Sequence, residues 1–170
     1  MKLTFLFSIL FLSCQTMNKD LAVVDSVDLN RYAGTWFEIA KLPNSFEKGL
    51  KCVTANYTLL ENGKIEVVNQ GVNVLKHDKV QNIKGVAFIP DKKVTTKLKV
   101  RFFWPFSGSY WILDLDRDNY QYALIGEPSR KYLWILGRAK TMDRDLYNRL
   151  ITKAKELGFE VSKVTLTVQE

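Results

Sequence analysis

The fold is decided by the stretch Gly34-Thr35-Trp36-Phe37-Glu38-Ile39-Ala40, which opens an alternating segment. In an extended chain, Gly34, Trp36 and Glu38 point to one side, and Thr35 and Phe37 point to the other. A glycine two residues before a large indole lets the backbone pass close to another part of the chain while the ring is buried. The stretch therefore predicts a first β-strand. Its Trp36 either closes the narrow end of a barrel or is an ordinary core residue of another β protein.

Seven more segments with strand character follow, separated by short turns. The first two are joined by Glu61-Asn62-Gly63, and Asn-Gly between alternating runs is a strong hairpin signal. The seven segments cover residues 52–60, 64–74, 79–89, 97–104, 109–116, 120–126 and 131–138. Eight short strands with tight turns predict an all-β protein, either an eight-stranded up-and-down antiparallel barrel or a sandwich.

Alternation also predicts which side chains face inward. Tyr57 shares a face with other apolar residues of its strand, and Val67 and Asn69 share a face of the next strand. Phe102 and Trp104 lie on the apolar face of a strand whose other face is basic. An amide among apolar residues costs roughly 1–3 kcal/mol when it is buried without partners. Asn69 is therefore either a polar group inside the fold or a residue at an edge near solvent.

One amphipathic helix is predicted after the strands. Leu146, Leu150 and Ala154 recur at helical spacing. Thr141 or Asp143 can cap its start, and Gly158 can supply a left-handed stop. We expect this helix to pack against the outside of the barrel, and residues 161–168 to form a short closing strand.

The first residues indicate export. Residues 1–13 contain a positive start and an apolar run that is too short to span a bilayer, as in a signal peptide. Ser13-Cys14 resembles a lipoprotein signal, in which the cysteine is acylated and anchors the chain; the alternatives are simple cleavage or a retained anchor. Residues 14–27 are polar and aperiodic and predict a tether. Asp28 can cap a helical turn at the start of a single folded domain, 28–170.

Composition argues against several classes of function. The 170 residues carry a net charge of +7, but the lysines are scattered, which argues against nucleic-acid binding. Two cysteines and one histidine give no metal site of the usual ligand spacing. His77 lies in a polar turn with no nucleophile motif nearby, so we expect no catalytic triad.

Three motifs in order resemble the lipocalin family. They are Gly34-Thr35-Trp36, the acidic turn Asp118-Asn119-Tyr120, and Arg138 at the end of the last barrel strand. The match runs from about Leu29 to the end of the chain. The resemblance implies that Arg138 stacks on Trp36 and that the barrel holds a hydrophobic ligand, either a fatty acid or a lysophospholipid.

The resemblance also implies a ligand-binding set. Tyr57, Asn69 and Trp134 match positions that contact the ligand in part of the family, and Val67, Phe102 and Trp104 are expected to complete the lining. It implies a binding protein without cofactor, catalytic residue or metal. With Cys14 carrying acyl groups such as palmitate, it implies an outer-membrane lipoprotein on the periplasmic side.

Two other functions and the oligomeric state stay open. An enzyme on the same scaffold would use a pocket cysteine, but alternation points Cys52 outward, where we expect a free thiol. A haem or pigment binder would need an axial ligand, and His77 in a loop is a poor one. Whether the chain forms a homodimer is left open.

Overall fold

The computed structural model describes residues 21–170. Nine strands form one sheet that closes on itself, because β1 pairs with both β8 and β2. In chain order the strands are β1 Gly34–Lys41, β2 Leu50–Leu59, β3 Ile65–Asn73, β4 Lys79–Phe88, β5 Lys97–Phe103, β6 Phe106–Leu115, β7 Tyr122–Gly126, β8 Leu133–Gly137 and β9 Thr165–Leu166. Every pairing is antiparallel, and each of the first eight strands lies beside its neighbours in sequence. The predicted eight-stranded up-and-down barrel is confirmed.

Two helices accompany the barrel in the described residues. The short helix α1, Leu29–Tyr32, is capped by Asp28, whose carboxylate accepts from the backbone N–H of Asn30 and Arg31. The longer helix α2, Arg144–Glu156, is capped in the same way by Asp143. Gly158 follows α2 with a φ of +87°, the left-handed stop predicted from the sequence.

The core divides into two parts, one inside the barrel and one outside it. The inner cluster contains Trp36, Tyr57, Val67 and Ile125. The outer cluster is where α2 packs, with Leu150 and Ala154 of the helix among the outward-facing residues of the sheet. The helix therefore covers the outside of the barrel, as expected.

The closing strand is shorter than predicted. Instead of a strand over residues 161–168, a single 3-10 turn, Val161–Lys163, precedes the two-residue β9. The chain continues in extended form beside β1 and β2, where Thr167 donates to Ile39 O and Cys52 donates to Val168 O. The C-terminal segment thus occupies the seam where β1 and β2 diverge.

One turn also differs from the sequence prediction. Phe103 and Phe106 face each other across the β5–β6 hairpin, so Trp104 and Pro105 form the turn. The Trp104 side chain is 82% exposed. The inward orientation predicted for Trp104 is therefore wrong, because regular alternation ends with β5 at Phe103.

The N-terminal predictions lie mostly outside the described residues. These are the signal peptide 1–13, the acylation site Cys14 and the first part of the tether. Within the described part, Leu21 is buried and the Val24 N–H donates to Ile112 O over 3.0 Å. No helix in residues 21–170 has both the length and the apolar character needed to cross a bilayer.

Candidate functional site: a cavity inside the barrel

Trp36 closes one end of the barrel. Its side chain is fully buried, and its Nε1 donates to Tyr32 O over 2.8 Å. The Arg138 guanidinium lies over the indole, with Cζ 3.9 Å from the ring centroid. A cation in this position attracts the ring face. The family motif pair predicted from the sequence is thus in contact.

Arg138 also binds the backbone of the segment that covers this end. Its guanidinium donates to the carbonyls of Arg31, Ala33 and Thr35 over 2.8–2.9 Å. Gly34 lies in the same segment with a φ of +93°, a backbone conformation that side chains disfavour. The sequence predicts that glycine is required before the indole. The structure gives the reason, because the backbone at this position is left-handed and lies beneath Arg138.

Three tyrosine hydroxyls form a buried network above the closed end. Tyr110 Oη lies 2.6 Å from Tyr32 Oη and 2.9 Å from Tyr57 Oη. Burial raises the pKa of Tyr57 to about 12 and raises the pKa values of Tyr32 and Tyr110 well above their usual range. These side chains therefore stay protonated and can share hydrogen bonds with one another.

Beyond this network lies a cavity of about 810 Å³. That volume is within the range of pockets that bind small molecules. The lining comes from seven of the eight barrel strands, all except β7, and from the β1–β2 and β7–β8 loops. It includes Glu38, Phe46, Glu47, Leu50, Val53, Tyr57, Val67, Asn69, Val100, Phe102, Tyr110, Glu127, Tyr132, Trp134 and Leu136.

Five of the six predicted ligand-binding residues line this cavity. They are Tyr57 on β2, Val67 and Asn69 on β3, Phe102 on β5 and Trp134 on β8. The sixth, Trp104, is not among the lining residues, because it lies in the exposed hairpin turn. The predicted lining residues therefore come together from four strands. The prediction fails only for Trp104, which lies beyond the end of its strand.

Asn69 is the polar residue whose position the sequence left open between the interior and an edge near solvent. It lines the cavity near the middle of β3, and its Oδ1 is buried with no hydrogen-bond partner. Of the two interpretations left open by the sequence, the structure supports the interior one. A buried acceptor without a donor costs free energy until a donor reaches it.

An ionic cluster beside the cavity was missed by the sequence analysis. Lys41 Nζ lies 2.7 Å from Glu38 Oε1 and 3.1 Å from Glu47 Oε2. All three side chains are nearly buried, and both glutamates line the cavity. The sequence could have indicated one member of this cluster, because Glu38 lies two residues from Trp36 and therefore on the same face of the strand. No such indication exists in the sequence for Lys41 or Glu47. A bulge in β1 places Lys41 in the cluster, and the β1–β2 loop places Glu47 there.

Burial and charge set the protonation of this cluster. Burial, followed by the neighbouring Glu47 carboxylate, raises the pKa of Glu38 above its usual value. Burial alone would lower the pKa of Lys41, but the charges of Glu38 and Glu47 raise it. Lys41 is therefore a permanent cation between two carboxylates that compete for it.

Aromatic side chains lie at the open end beside Glu47. The Trp134 Nε1 donates to Glu47 Oε1 over 3.3 Å. The Tyr132 and Trp134 rings are stacked, with centroids 5.9 Å apart, and Phe46 packs on both. The Phe46 ring is 60% exposed, so this aromatic group borders the entrance to the cavity.

The residues considered for catalysis or haem binding lie elsewhere. Cys52 is at a bulge in β2 and is not among the cavity-lining residues, and it forms no disulfide within the described chain. His77 is exposed at the end of a 3-10 turn. In residues 21–170, no three His, Cys, Asp or Glu side chains are grouped to hold a metal ion.

Comparison with known proteins agrees with this geometry. The model of the "Lipocalin-like domain" family matches residues 27–169. The outer membrane lipoprotein Blc of Vibrio cholerae is 37% identical over 96% of this chain and 95% of its own length. Apolipoprotein D of Macaca fascicularis is 37% identical over 87% of this chain and 80% of its own.

Among solved structures, insecticyanin from the tobacco hornworm Manduca sexta superposes with a TM-score of 0.69 at 27% identity. The superposition covers 87% of this chain and 84% of insecticyanin. Lipocalins such as Blc and apolipoprotein D are binding proteins for hydrophobic ligands. With its motif pair in contact and a cavity in its barrel, this chain belongs to the lipocalin family, in which members such as Blc and apolipoprotein D are binding proteins and not enzymes.

Proposed function

We propose that this protein holds a single-chain lipid, a fatty acid or a lysophospholipid, inside its barrel. The observation that carries the proposal is the cavity of about 810 Å³, lined by Val53, Val67, Val100, Phe102 and Leu136. Apolar walls favour an alkyl chain because burying each methylene contributes about 0.8 kcal/mol. The Tyr57–Tyr110 pair lies at the inner end of this space and Trp134 near its entrance.

The energetics of chain burial support useful affinity. About a dozen buried methylenes give roughly 10 kcal/mol before the cost of immobilising the ligand is subtracted. Micromolar binding needs about 8 kcal/mol after that cost is subtracted, so each further methylene beyond a dozen brings the ligand closer to this requirement, and a short chain stays far from it. Affinity should therefore increase with chain length until the cavity is filled.

Binding is tested by titrating the delipidated protein with a lysophospholipid while tryptophan emission is recorded. We expect a saturable change that is largely lost in Trp134→Phe, because Trp134 lines the cavity. Trp111→Phe is the matched control, since Trp111 packs in the outer cluster. An unsaturable response, or one equal in both variants, would count against a ligand inside the barrel.

We also propose that the protein is held to the outer membrane, on the periplasmic side, by acyl groups on Cys14. The support is the Ser13-Cys14 sequence after an apolar run, together with relatives that are named outer membrane lipoproteins. Several acyl chains on one residue give firm attachment, whereas a single chain is marginal.

Anchoring is tested in a Gram-negative host by fractionation and by labelling with a palmitate analogue. Cys14→Ser should abolish labelling and release the protein from the membrane fraction. Cys52→Ser, the other cysteine of the chain, should change neither result. Equal membrane retention of the Cys14→Ser variant would refute the anchor without touching the cavity.

A further inference from the structure

The charges that face the cavity are all of one sign. Its lining contains the carboxylates of Glu38, Glu47 and Glu127, and none of the lining residues is a lysine, arginine or histidine. The whole chain, in contrast, carries a net charge of +7. The interior therefore has the opposite electrostatic character to the protein as a whole.

The nearby lysine does not change this sign. Lys41 has a nearly buried side chain that already pairs with both Glu38 and Glu47, and it is not part of the lining. One ammonium is shared by two carboxylates, and burial together with Glu47 raises the pKa of Glu38, so the cluster gains negative charge when a second cation arrives to keep both carboxylates ionised. Because the site is shielded from water, that charge acts more strongly on a ligand than it would at the surface.

The cavity also presents acceptors that lack donors. Glu38 Oε1 accepts from Lys41 at 2.7 Å and from Thr167 at 2.5 Å, whereas no described residue donates to Oε2. The Asn69 Oδ1, on β3 two strands away from Glu38 in the sheet, is buried without a partner. A ligand that donates hydrogen bonds would satisfy these groups, and a ligand that only accepts would not.

We propose that the cavity selects a single-chain amphiphile that carries a protonated amino group, with Glu38 and Glu47 receiving the ammonium. This inference rests on the proposed lipid-binding function and specifies the head group. The faces of Trp134, Tyr132 and Phe46 beside Glu47 add a second source of attraction, since aromatic rings bind cations.

The same arrangement disfavours an ionised fatty acid. A carboxylate placed near Glu38 and Glu47 would be repelled, and it would supply no donor to Asn69 Oδ1. A fatty acid would bind only after taking up a proton or with its head group outside the entrance. A primary alcohol is intermediate, because it donates one hydrogen bond and carries no charge.

The test compares an alkyl amine, the corresponding alcohol and the corresponding fatty acid, all of one chain length and at neutral pH. We expect the amine to bind at least about tenfold more tightly than the alcohol, and the acid to bind more weakly than both. In Glu47→Gln the affinity for the amine should fall about tenfold while the affinity for the alcohol is unchanged. Glu38→Gln should act in the same direction.

Glu66→Gln is the matched control. Glu66 lies on β3, pairs with Lys84 and is not among the lining residues, so all three affinities should stay as in the parent protein. Retained binding of the alcohol also shows that a variant is folded. If a lysophospholipid that carries a primary amine binds as tightly as the simple alkyl amine, a phospholipid is identified as one source of this head group.

Two outcomes would overturn the proposal in distinguishable ways. Equal binding of all three ligands, or a preference for the acid, would remove the selectivity while leaving lipid binding intact. An unchanged preference for the amine in both Glu38→Gln and Glu47→Gln would assign the selectivity to other groups. Binding of no ligand at all would refute the proposed function itself.

Discussion

Arg138 shows how much of the closed end depends on one side chain. It lies over the Trp36 ring and donates to several backbone carbonyls of the segment that includes Arg31 and Thr35. Hydrogen bonds to charged groups contribute about 1.5–3 kcal/mol each when they are buried, and less where water can replace the donor. The cation–π contact adds to this sum.

Arg138→Met should therefore lower the free energy of unfolding by about 2–4 kcal/mol, as measured by urea denaturation. Arg149→Met is the control. Arg149 also lies over a ring, that of Tyr122, and pairs with Asp114, but it is exposed on the outside of the barrel. Its loss should cost less than about 1 kcal/mol. Equal losses would show that the closed end has no special dependence on Arg138.

The raised pKa of Tyr57 predicts how the stability of the protein changes at alkaline pH. Its pKa of about 12 in the folded protein exceeds the value of about 10 expected in the unfolded chain. Between these values the folded state keeps a proton that the unfolded state has lost, so stability falls as pH rises through this window.

Between about pH 10 and 12, the stability of Tyr57→Phe should fall by about 2–3 kcal/mol less than that of the parent protein. At neutral pH the variant should be about 1 kcal/mol less stable than the parent. The measurement is chemical denaturation at a series of pH values. A parallel pH dependence in the parent protein and the variant would mean that Tyr57 ionises normally in the folded state.

Sequence reasoning succeeded at single residues where alternation or a family motif constrained them. Trp36, Arg138 and Tyr57 are where the sequence predicts them, and Asn69 takes the interior one of the two positions that the sequence leaves open. It missed Lys41 because a bulge in β1 shifts the register after Glu38, and a bulge leaves no clear trace in composition. The resulting ion-pair cluster depends on loop geometry that local sequence does not specify.

The helix α2 is the element whose limits the sequence predicted best. The sequence predicts that either Thr141 or Asp143 caps its start. In the structure the cap is Asp143, whose carboxylate accepts from the N–H of Asp145 and Leu146. Asp143→Ala should destabilise the protein by about 1 kcal/mol in thermal or urea denaturation. Asp143→Asn should retain most of the parent stability, since Asn caps equally well. Comparable losses in both variants would exclude capping as the cause.

Strand ends were predicted less well than strand interiors. Leu98, Val100 and Phe102 follow the predicted alternation, but the β5–β6 register shifts between Val100 and Phe103, and Trp104 lies beyond the end of the strand. The following strand begins at Phe106, three residues earlier than predicted, because the connecting turn is tight. Hairpin geometry at the open end depends on pairing between strands, which periodicity within one strand does not reveal.

At the scale of the molecule, the cavity should accept extra volume at little cost in stability. Gly108 lies on its lining, and a Cβ atom added there would have no atom within 4 Å except those of its two chain neighbours. Gly108→Trp should therefore weaken lipid binding at least about tenfold and change the free energy of unfolding by less than about 1 kcal/mol. Fluorescence titration and urea denaturation measure the two quantities.

Lys99→Trp is the control for this variant. Lys99 faces Gly108's neighbour Ser109 across the β5–β6 pairing, but it is exposed on the outer surface. It should leave lipid affinity unchanged. A large loss of stability in Gly108→Trp would indicate that the interior is closely packed, since overfilling a packed core costs about 1–3 kcal/mol.

The C-terminal end of the chain has a practical consequence. Gln169, the penultimate residue, is buried, and its amide donates to Glu38 O and Val53 O, one on each side of the seam. A fluorophore attached beside Gln169 would thus lie against β1 and β2, which both contribute cavity-lining residues, Glu38 and Val53. A dye at that position should report on ligand binding more directly than a dye placed anywhere on α2, which packs against the outside of the barrel.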